Sequence, residues 1–460
     1  MINFWDFEAW GGINLFAVLL ISLLAANLLK KFIPILKASL IPSSVLGGGL
    51  LVIIAGIYKL TTGEVMFDTQ FFGGNGTVNL EMITYHCLAL GFIASTLKPS
   101  KGKITKERTA EIANTGITTV ATYLLQGILG FAITMVAAMF IEKIIPAAGV
   151  LLPFGYGQGT GQALNYGGIY ETQYAFEGGK NFGLTIAAMG FISASIGGVT
   201  HLVFLRKKGV IAKRSEVAEL ISAEDIQKEN EIPMQESMDK MTVQVALVAL
   251  AYLVAYFIML GLGALLPGMK SVIYGFNFLL GVLSATIVKA SLNFMNKKKI
   301  LRRVQINDFL MTRTSNFFFD LMVVAGMAAI RLGVMKDYWG IILILGVVGL
   351  VGTYAYNLLV AKLLFPEYAQ QQFLMMYGML TGTASTGTIL LREIDGEFQT
   401  PAADNMVYQN FPAIALGFPM MILATMAPEQ PKLTMIILVA YFLVLNVVLF
   451  RKFIFRRKKK

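Results

Sequence analysis

Runs of mostly apolar residues long enough to cross a bilayer recur along this chain, and no other feature restricts its fold as strongly. A spanning helix needs roughly 20 such residues. About eleven runs qualify, near 13–29, 40–58, 80–97, 117–141, 182–205, 243–266, 272–294, 317–332, 339–364, 407–426 and 433–450. Lipid offers nothing for a bare backbone to hydrogen-bond, so a crossing segment must be a helix or part of a closed barrel. Uniform runs of this length predict helices, and the fold class expected is an all-α polytopic membrane protein. The first run is not expected to be a cleaved signal: Asp6 and Glu8 precede it where lysine or arginine would stand.

Two further segments, 147–165 and 372–391, are apolar but broken. The first contains Phe154-Gly-Tyr-Gly-Gln-Gly-Thr-Gly-Gln-Ala-Leu-Asn165, with Gly155, Gly157, Gly159 and Gly161 alternating. Each glycine costs a helix interior about 1 kcal/mol, so the four predict backbone held open. Open backbone is tolerated at membrane depth only inside protein or along a wet cavity. Both segments are therefore expected to be re-entrant.

The net charge of +11 could suggest nucleic acid, but the basic residues sit between apolar runs, where they report topology instead. With both broken segments re-entrant and the N-terminus outside, all but seven of the 38 lysines and arginines fall on the inner side. The seven are Lys59, Lys143, Lys180, Lys270, Arg331, Lys336 and Lys432. Were one broken segment to cross fully, every later loop would change sides. A cytoplasmic C-terminus follows.

The order of runs then shows a repeat. Residues 1–205 give five spans with a broken segment between the fourth and fifth. Residues 242–427 give the same, with Tyr377-Gly-Met-Leu-Thr-Gly-Thr-Ala-Ser-Thr-Gly-Thr388 in the break, so that Gly159-Thr160 aligns with Gly382-Thr383. An odd number of spans inverts the second half, the plan of many secondary transporters. Residues 206–241 read as a solvated cytoplasmic linker, and 428–460 as an extra span with a basic tail.

Ile41-Pro-Ser-Ser-Val-Leu-Gly-Gly-Gly-Leu50, Gly157-Gln-Gly-Thr-Gly161, Asn316 ahead of the 317–332 run, and the Gly/Thr-rich second hairpin resemble the bacterial sodium/glutamate symporters. The family's first hairpin commonly reads Gly-Gly-His-Gly-Thr-Gly, and here Gln158 replaces the histidine; the second hairpin departs further. The resemblance implies sodium-coupled symport of glutamate or a similar small carboxylate or amino acid. It also implies elevator-type movement, a homodimer, and a place in the inner membrane. The alternative is a cation- or proton-coupled carrier of another organic acid, such as a di- or tricarboxylate.

The residues can supply that chemistry. Exposed amides at Gly159 and Gly161 and the start of a half-helix can hold a carboxylate without a formal charge. Gln158, Thr160, Gln162 and Asn165 add neutral donors and acceptors, and around Gly382 the residues Thr383, Ser385 and Thr386 do the same. Arg392 either clamps a substrate carboxylate or pairs with neighbouring Glu393 or Asp395. For sodium, Asn316 and Asp320 stand one helical turn apart on one face, at membrane depth or in the interface beside Arg313. His86 and His201 read as packed helix residues, with proton coupling the other reading. Pro412 and Pro419 predict a kink in the tenth span.

Other classes fit less well. A channel would be built from rings of symmetric subunits, which an internal inverted repeat disfavours. An intramembrane enzyme needs a nucleophile or metal constellation, and no HExxH-type motif occurs. One cysteine, Cys87, and two histidines supply neither a disulfide framework nor a metal centre. Gly155–Gly161 lacks the spacing and preceding strand of a dinucleotide fingerprint. The expectation is a carrier with sodium as coupling ion, no organic cofactor, no nucleic acid, a small anionic or zwitterionic substrate, and the bilayer as surroundings.

Overall fold

The computed structural model describes residues 3–98, 106–210, 231–234, 238–267, 270–396 and 399–454. It is helical throughout, with no strand among the described residues. In chain order the helices are α1 (Phe7–Phe32), α2 (Pro34–Ala38), α3 (Ser43–Thr62), α4 (Gly76–Leu97), α5 (Lys106–Ala137), α6 (Leu151–Gln173), α7 (Gly179–Lys207), α8 (Lys240–Leu265) and α9 (Lys270–Gly275). There follow α10 (Asn277–Lys297), α11 (Asp308–Ala328), α12 (Trp339–Leu364), α13 (Ala369–Thr381), α14 (Ala384–Arg392), α15 (Ala402–Tyr408), α16 (Asn410–Met426), α17 (Pro431–Leu449) and α18 (Arg451–Ile454).

Among the described residues nine helices are long and apolar enough to cross a membrane, or ten if the bent pair α15 and α16 forms one span. The protein is thus a polytopic membrane protein by length and composition. Of the eleven expected runs, the tenth enters this set only as the bent pair and the eighth is outside it. Its helix, α11, begins at Asp308 instead of residue 317 and carries Asp308, Arg313 and Asp320. The predicted kink falls just ahead of Pro412, whose ring clashes with the carbonyl four residues back and whose nitrogen has no hydrogen to donate. At Pro419 the helix continues.

Compactness divides the chain differently from its two sequence halves. One unit comprises residues 1–81, 104–214 and 323–460; the other, 82–103 and 215–322. In the first, contacts sort into two ends. At one, Lys143 pairs with Asp337 at 2.5 Å, Lys180 with Glu81 at 2.7 Å and Arg331 with Asp68 at 3.1 Å. At the other, Arg108 pairs with Glu111, Arg206 meets Glu393 at 2.6 Å, and Arg451 reaches Asn114 at 3.4 Å. Helix α12, about 39 Å long at 1.5 Å per residue, joins the two ends. Lys143 and Asp337 are exposed, and their contact holds the carboxyl below and the amine above their ordinary values.

The second unit packs Ile93, Ala94, Leu97, Val248, Ala251, Ala285 and Val288 into one apolar core. His86 Nδ1 meets the Tyr252 hydroxyl at 2.6 Å, the partnered helix residue the sequence suggests. Phe319 lies against Gly91, and the Ser315 hydroxyl donates to the Gly91 carbonyl.

Residues 207–210 of the linker are exposed, as a solvated connector would be, whereas part of its second half is buried. Helix α7 extends through Lys207, and Glu231, Ile232 and Lys240 are buried. Lys240 donates to Glu231 at 2.8 Å, and Asn307 donates to the same carboxylate oxygen at 2.6 Å. A carboxylate and an ammonium can leave water together because each satisfies the other. Residues 211–230 and 235–237 of the linker, and 455–460 of the basic tail, lie outside the described residues. Removing one partner of a buried pair typically costs about 3–5 kcal/mol. Lys240→Met is therefore expected to lower the melting temperature by several degrees, and Lys240→Met with Glu231→Leu to recover most of it; equal melting of single and double variants would contradict the pairing.

Candidate functional site

Both broken segments fold back on themselves, and both do so in the first unit. The chain leaves α5 and is seated against it by Thr134, whose hydroxyl donates to the Pro146 carbonyl at 2.5 Å and accepts from Gly149 N at 2.9 Å. Helix α6 then runs in two arms, 151–158 and 160–173, broken at Gly159 with φ 78° and ψ −169°. The rings of Phe154 and Tyr166 stack with centroids 3.9 Å apart. A straight helix would separate those positions by about 18 Å, so the arms double back. The Tyr338 hydroxyl lies 3.2 Å from the Lys143 carbonyl and 3.1 Å from that of Glu177. The segment thus starts and finishes at one end of the unit.

This refines the glycine argument. Only Gly159 leaves helical geometry; Gly155, Gly157 and Gly161 stay within it. Gly157 makes room for Tyr123, to whose ring a Cβ would come within 2.1 Å, and the Tyr123 hydroxyl donates to the Gly157 carbonyl at 3.1 Å. The alternation therefore serves packing at these positions, and open backbone at one.

The second hairpin is α13 and α14, turning at Gly382-Thr383. A Cβ on Gly378 would stand 2.7 Å from Gly387 Cα, which brings the arms into backbone contact. Thr383 caps α14, accepting from Thr386 N at 3.3 Å. Gly382 has φ −135°, so here crowding by Thr386 and the Gly378 carbonyl, and not a left-handed backbone, favours glycine. The hairpin opens where Asn405 Nδ2 donates to the Tyr368 hydroxyl at 3.0 Å and to Gln372 at 3.3 Å. Tyr338 adjoins the first residue of α12 and Tyr368 follows its last turn, so the two hairpins start from opposite ends of that helix.

Their tips meet on α7. A Cβ on Gly190 would lie 2.5 Å from the Thr381 carbonyl oxygen and 3.2 Å from Tyr156 Cα. Ser193 binds both hairpins: its hydroxyl is 2.9 Å from the Tyr156 hydroxyl, and its carbonyl accepts from Tyr377 at 2.7 Å. On α5, Gln126 Nε2 donates to the Leu380 carbonyl at 2.8 Å, one helical turn from the contact of Tyr123 with Gly157.

Of the residues singled out in the sequence, Gly159, Thr160, Gly161, Gly382 and Thr386 are buried at the two tips, with Gln158, Asn165, Thr383 and Ser385 half-buried beside them. Thr160 packs on α11, where a Cβ on Gly326 would come within 2.6 Å of it. Asn165 donates to Gln162 at 3.2 Å, and the Gln162 amide nitrogen is buried with no hydrogen-bond partner among the described residues. Arg392 lies in the last turn of α14. Of the neighbouring carboxylates, Glu393 pairs with Arg206, and Asp395 accepts from Gln399 N and Thr400.

Asn316 and Asp320 are both on α11, which begins at Asp308. They lie in the interior of α11, within the second unit, Asn316 exposed and Asp320 half-buried. His201 is a packed residue of α7, 2.6 Å from the Tyr354 hydroxyl and 2.8 Å from Gln370.

No protein-family model matches the chain, and no curated protein matches it.

The sequence reading overlooked the residues that hold the hairpins, Tyr123, Gln126 and Ser193, and the neighbours of Gln126 on α12, Thr353 and Asn357. A signal was present: Thr115, Thr118, Thr119, Thr122 and Gln126 recur at helical spacing within an apolar run, and all are buried. Gln126 Nε2 also donates to Thr353 Oγ1 at 2.8 Å, and Asn357 Nδ2 to the Thr353 carbonyl at 2.9 Å. The oxygen ends of both amides are buried with no hydrogen-bond partner among the described residues. A buried acceptor left so costs about 1–3 kcal/mol.

Proposed function

We propose that the chain is a secondary active transporter, coupling sodium entry to uptake of glutamate or a similar small carboxylate or amino acid. One observation supports this above the others: two doubled-back segments, starting from opposite ends of α12, bring their tips together against Gly190 of α7. Carriers place substrate where broken helices from inverted repeats meet near the bilayer midplane.

In this reading the two halves are inverted repeats and the N-terminus is outside. The mouth of the first hairpin, with Lys143, Arg331 and Lys180, faces out; the mouth of the second, with Arg108, Arg206 and Arg451, faces the cytoplasm. A carboxylate is held by amides at the first tip, by the Gln162 amide nitrogen and by the Thr383 end of α14. Neutral donors bind an anion without trapping it, as repeated loading and release require. The occupied hairpins then move together, in the elevator manner that the family resemblance implies, within a homodimer.

The test is uptake by proteoliposomes of labelled glutamate and other organic acids, with sodium and proton gradients imposed separately. Thr160→Val with Thr383→Val is expected to raise the substrate KM roughly tenfold or more, since a lost cap and lost polar contacts each amount to about 1 kcal/mol, without reducing insertion. Unchanged sodium-driven uptake in that variant would remove the proposed substrate site.

A further inference from the structure

We infer that the coupling cation binds between α5 and α12, on the amide oxygens of Gln126 and Asn357, and that it reaches the second hairpin through the Gln126 side chain. This rests on the transport reading above, and assigns the ion to residues other than Asn316 and Asp320.

Amide orientation follows from partners that have only one possible role. Gln126 contacts the Leu380 carbonyl, and Asn357 the Thr353 carbonyl. A carbonyl only accepts, so nitrogen faces it in both cases and oxygen takes the other side. Both oxygens are buried, in residues 1% and 2% exposed, with no donor among the described residues. Both amides donate to one residue, Gln126 to the hydroxyl of Thr353 and Asn357 to its carbonyl.

The same pattern continues along α5 toward the mouth of the second hairpin. The Thr115 hydroxyl donates to the Glu111 carbonyl, so Gln372 Nε2 donates to Thr115 and Gln372 Oε1 accepts from Asn405. That chain leaves the Asn405 oxygen as the unpartnered end, and the Gln409 oxygen is another. The unpartnered ends at Gln126, Asn357, Asn405 and Gln409 are all acceptors among the described residues. Water brings both donors and acceptors, whereas a row of neutral oxygens with no opposing donor suits a cation. Among the described residues no group of three or more histidine, cysteine or acidic side chains could hold a metal ion. The site therefore suits a monovalent ion that shares its charge among neutral oxygens, not a divalent one that needs carboxylates.

The consequence for transport lies in the two ends of Gln126. A cation on Oε1 draws electron density from the amide and strengthens donation from Nε2 to Leu380. Leu380 is next to Thr381, the residue packed on Gly190. Ion occupancy thereby fixes the tip that the substrate needs, and loss of the ion loosens it.

The experiment follows melting of the purified full-length protein against sodium, with choline and potassium as controls, because a ligand that binds only the folded state raises stability with its concentration. Sodium is expected to raise the midpoint saturably, and Gln126→Met or Asn357→Val to raise the half-saturating concentration at least tenfold. If neither variant folds, Asn357→Asp keeps the shape and adds charge, and is expected to lower that concentration. Sodium responses that match the native protein in all these variants would overturn the site while leaving symport standing. A fall in melting equal in sodium and choline would mean that the oxygens hold water only, and would also overturn it. A residue-dependent sodium response in a protein whose uptake ignores the sodium gradient would keep the site and defeat the symport reading.

Discussion

Gly190→Val is expected to reduce sodium-driven uptake roughly 5- to 100-fold, the rate equivalent of the 1–3 kcal/mol that overpacking of a close-packed site costs. The added carbons would enter the Thr381 carbonyl at 2.5 Å and the Tyr156 ring and backbone at 3.1–3.2 Å. Two of these neighbours are backbone atoms, which cannot rotate away as a side chain can. Both tips must therefore retreat from α7, and any site they form together is lost. Gly12→Val is the matched control, because nothing lies within 4 Å of a Cβ there, and its uptake is expected to stay within about twofold of native, as for ordinary surface changes. Initial rates in proteoliposomes at equal inserted protein decide the matter. Native rates in Gly190→Val would show that the meeting of the tips on α7 is irrelevant to transport.

Gly159→Ala tests the first tip by another route. At φ 78° and ψ −169° the backbone occupies a region that is essentially restricted to glycine and costs other residues about 1–3 kcal/mol. Alanine there either strains the turn or lets the arms straighten, parting Phe154 from Tyr166. Uptake is expected to fall roughly 5- to 100-fold on that energy scale, with the larger share in KM. Gly168→Ala, in the outer arm of the same helix, meets only the Lys180 side chain at 3.5 Å and beyond. Helix propensity favours alanine there by about 1 kcal/mol, so transport should persist and melting should rise slightly. Equal behaviour of the two variants would show that Gly159 does not set the turn.

The first hairpin was visible in the sequence because a bilayer punishes glycine-rich backbone that has no partner. What that argument could not do was distribute the roles. Gly155 and Gly157 face Ile186 and Tyr123, and the composition of a segment carries no record of which neighbour will press on it. The second hairpin was legible as a Gly/Thr cluster, and Thr383 at its turn does cap α14. Asn316 and Asp320 stand out in the sequence as oxygen ligands one helical turn apart, with Asp320 a carboxylate in an apolar run, and such spacing marks residues without saying what they face. Gln126 and Asn357 passed unnoticed for the opposite reason. A single neutral amide in a long apolar helix barely changes its hydropathy, and its meaning depends on which end of the amide a partner from elsewhere in the chain has taken.

The sequence alone determined that this protein lives in a membrane, that its backbone is helical, and where two helices must break. Those outcomes follow from local facts: the lengths of apolar runs, the missing hydrogen-bond partners of lipid, and the cost of glycine in a helix. Only the tertiary structure decided that the breaks double back, that they start from opposite ends of α12, and that they meet on Gly190 where Gln126 donates to Leu380. Those outcomes are set by contacts between residues nearly 200 or more positions apart, such as Gly190 with Thr381 and Gln126 with Leu380, and no local pattern encodes a partner that distant.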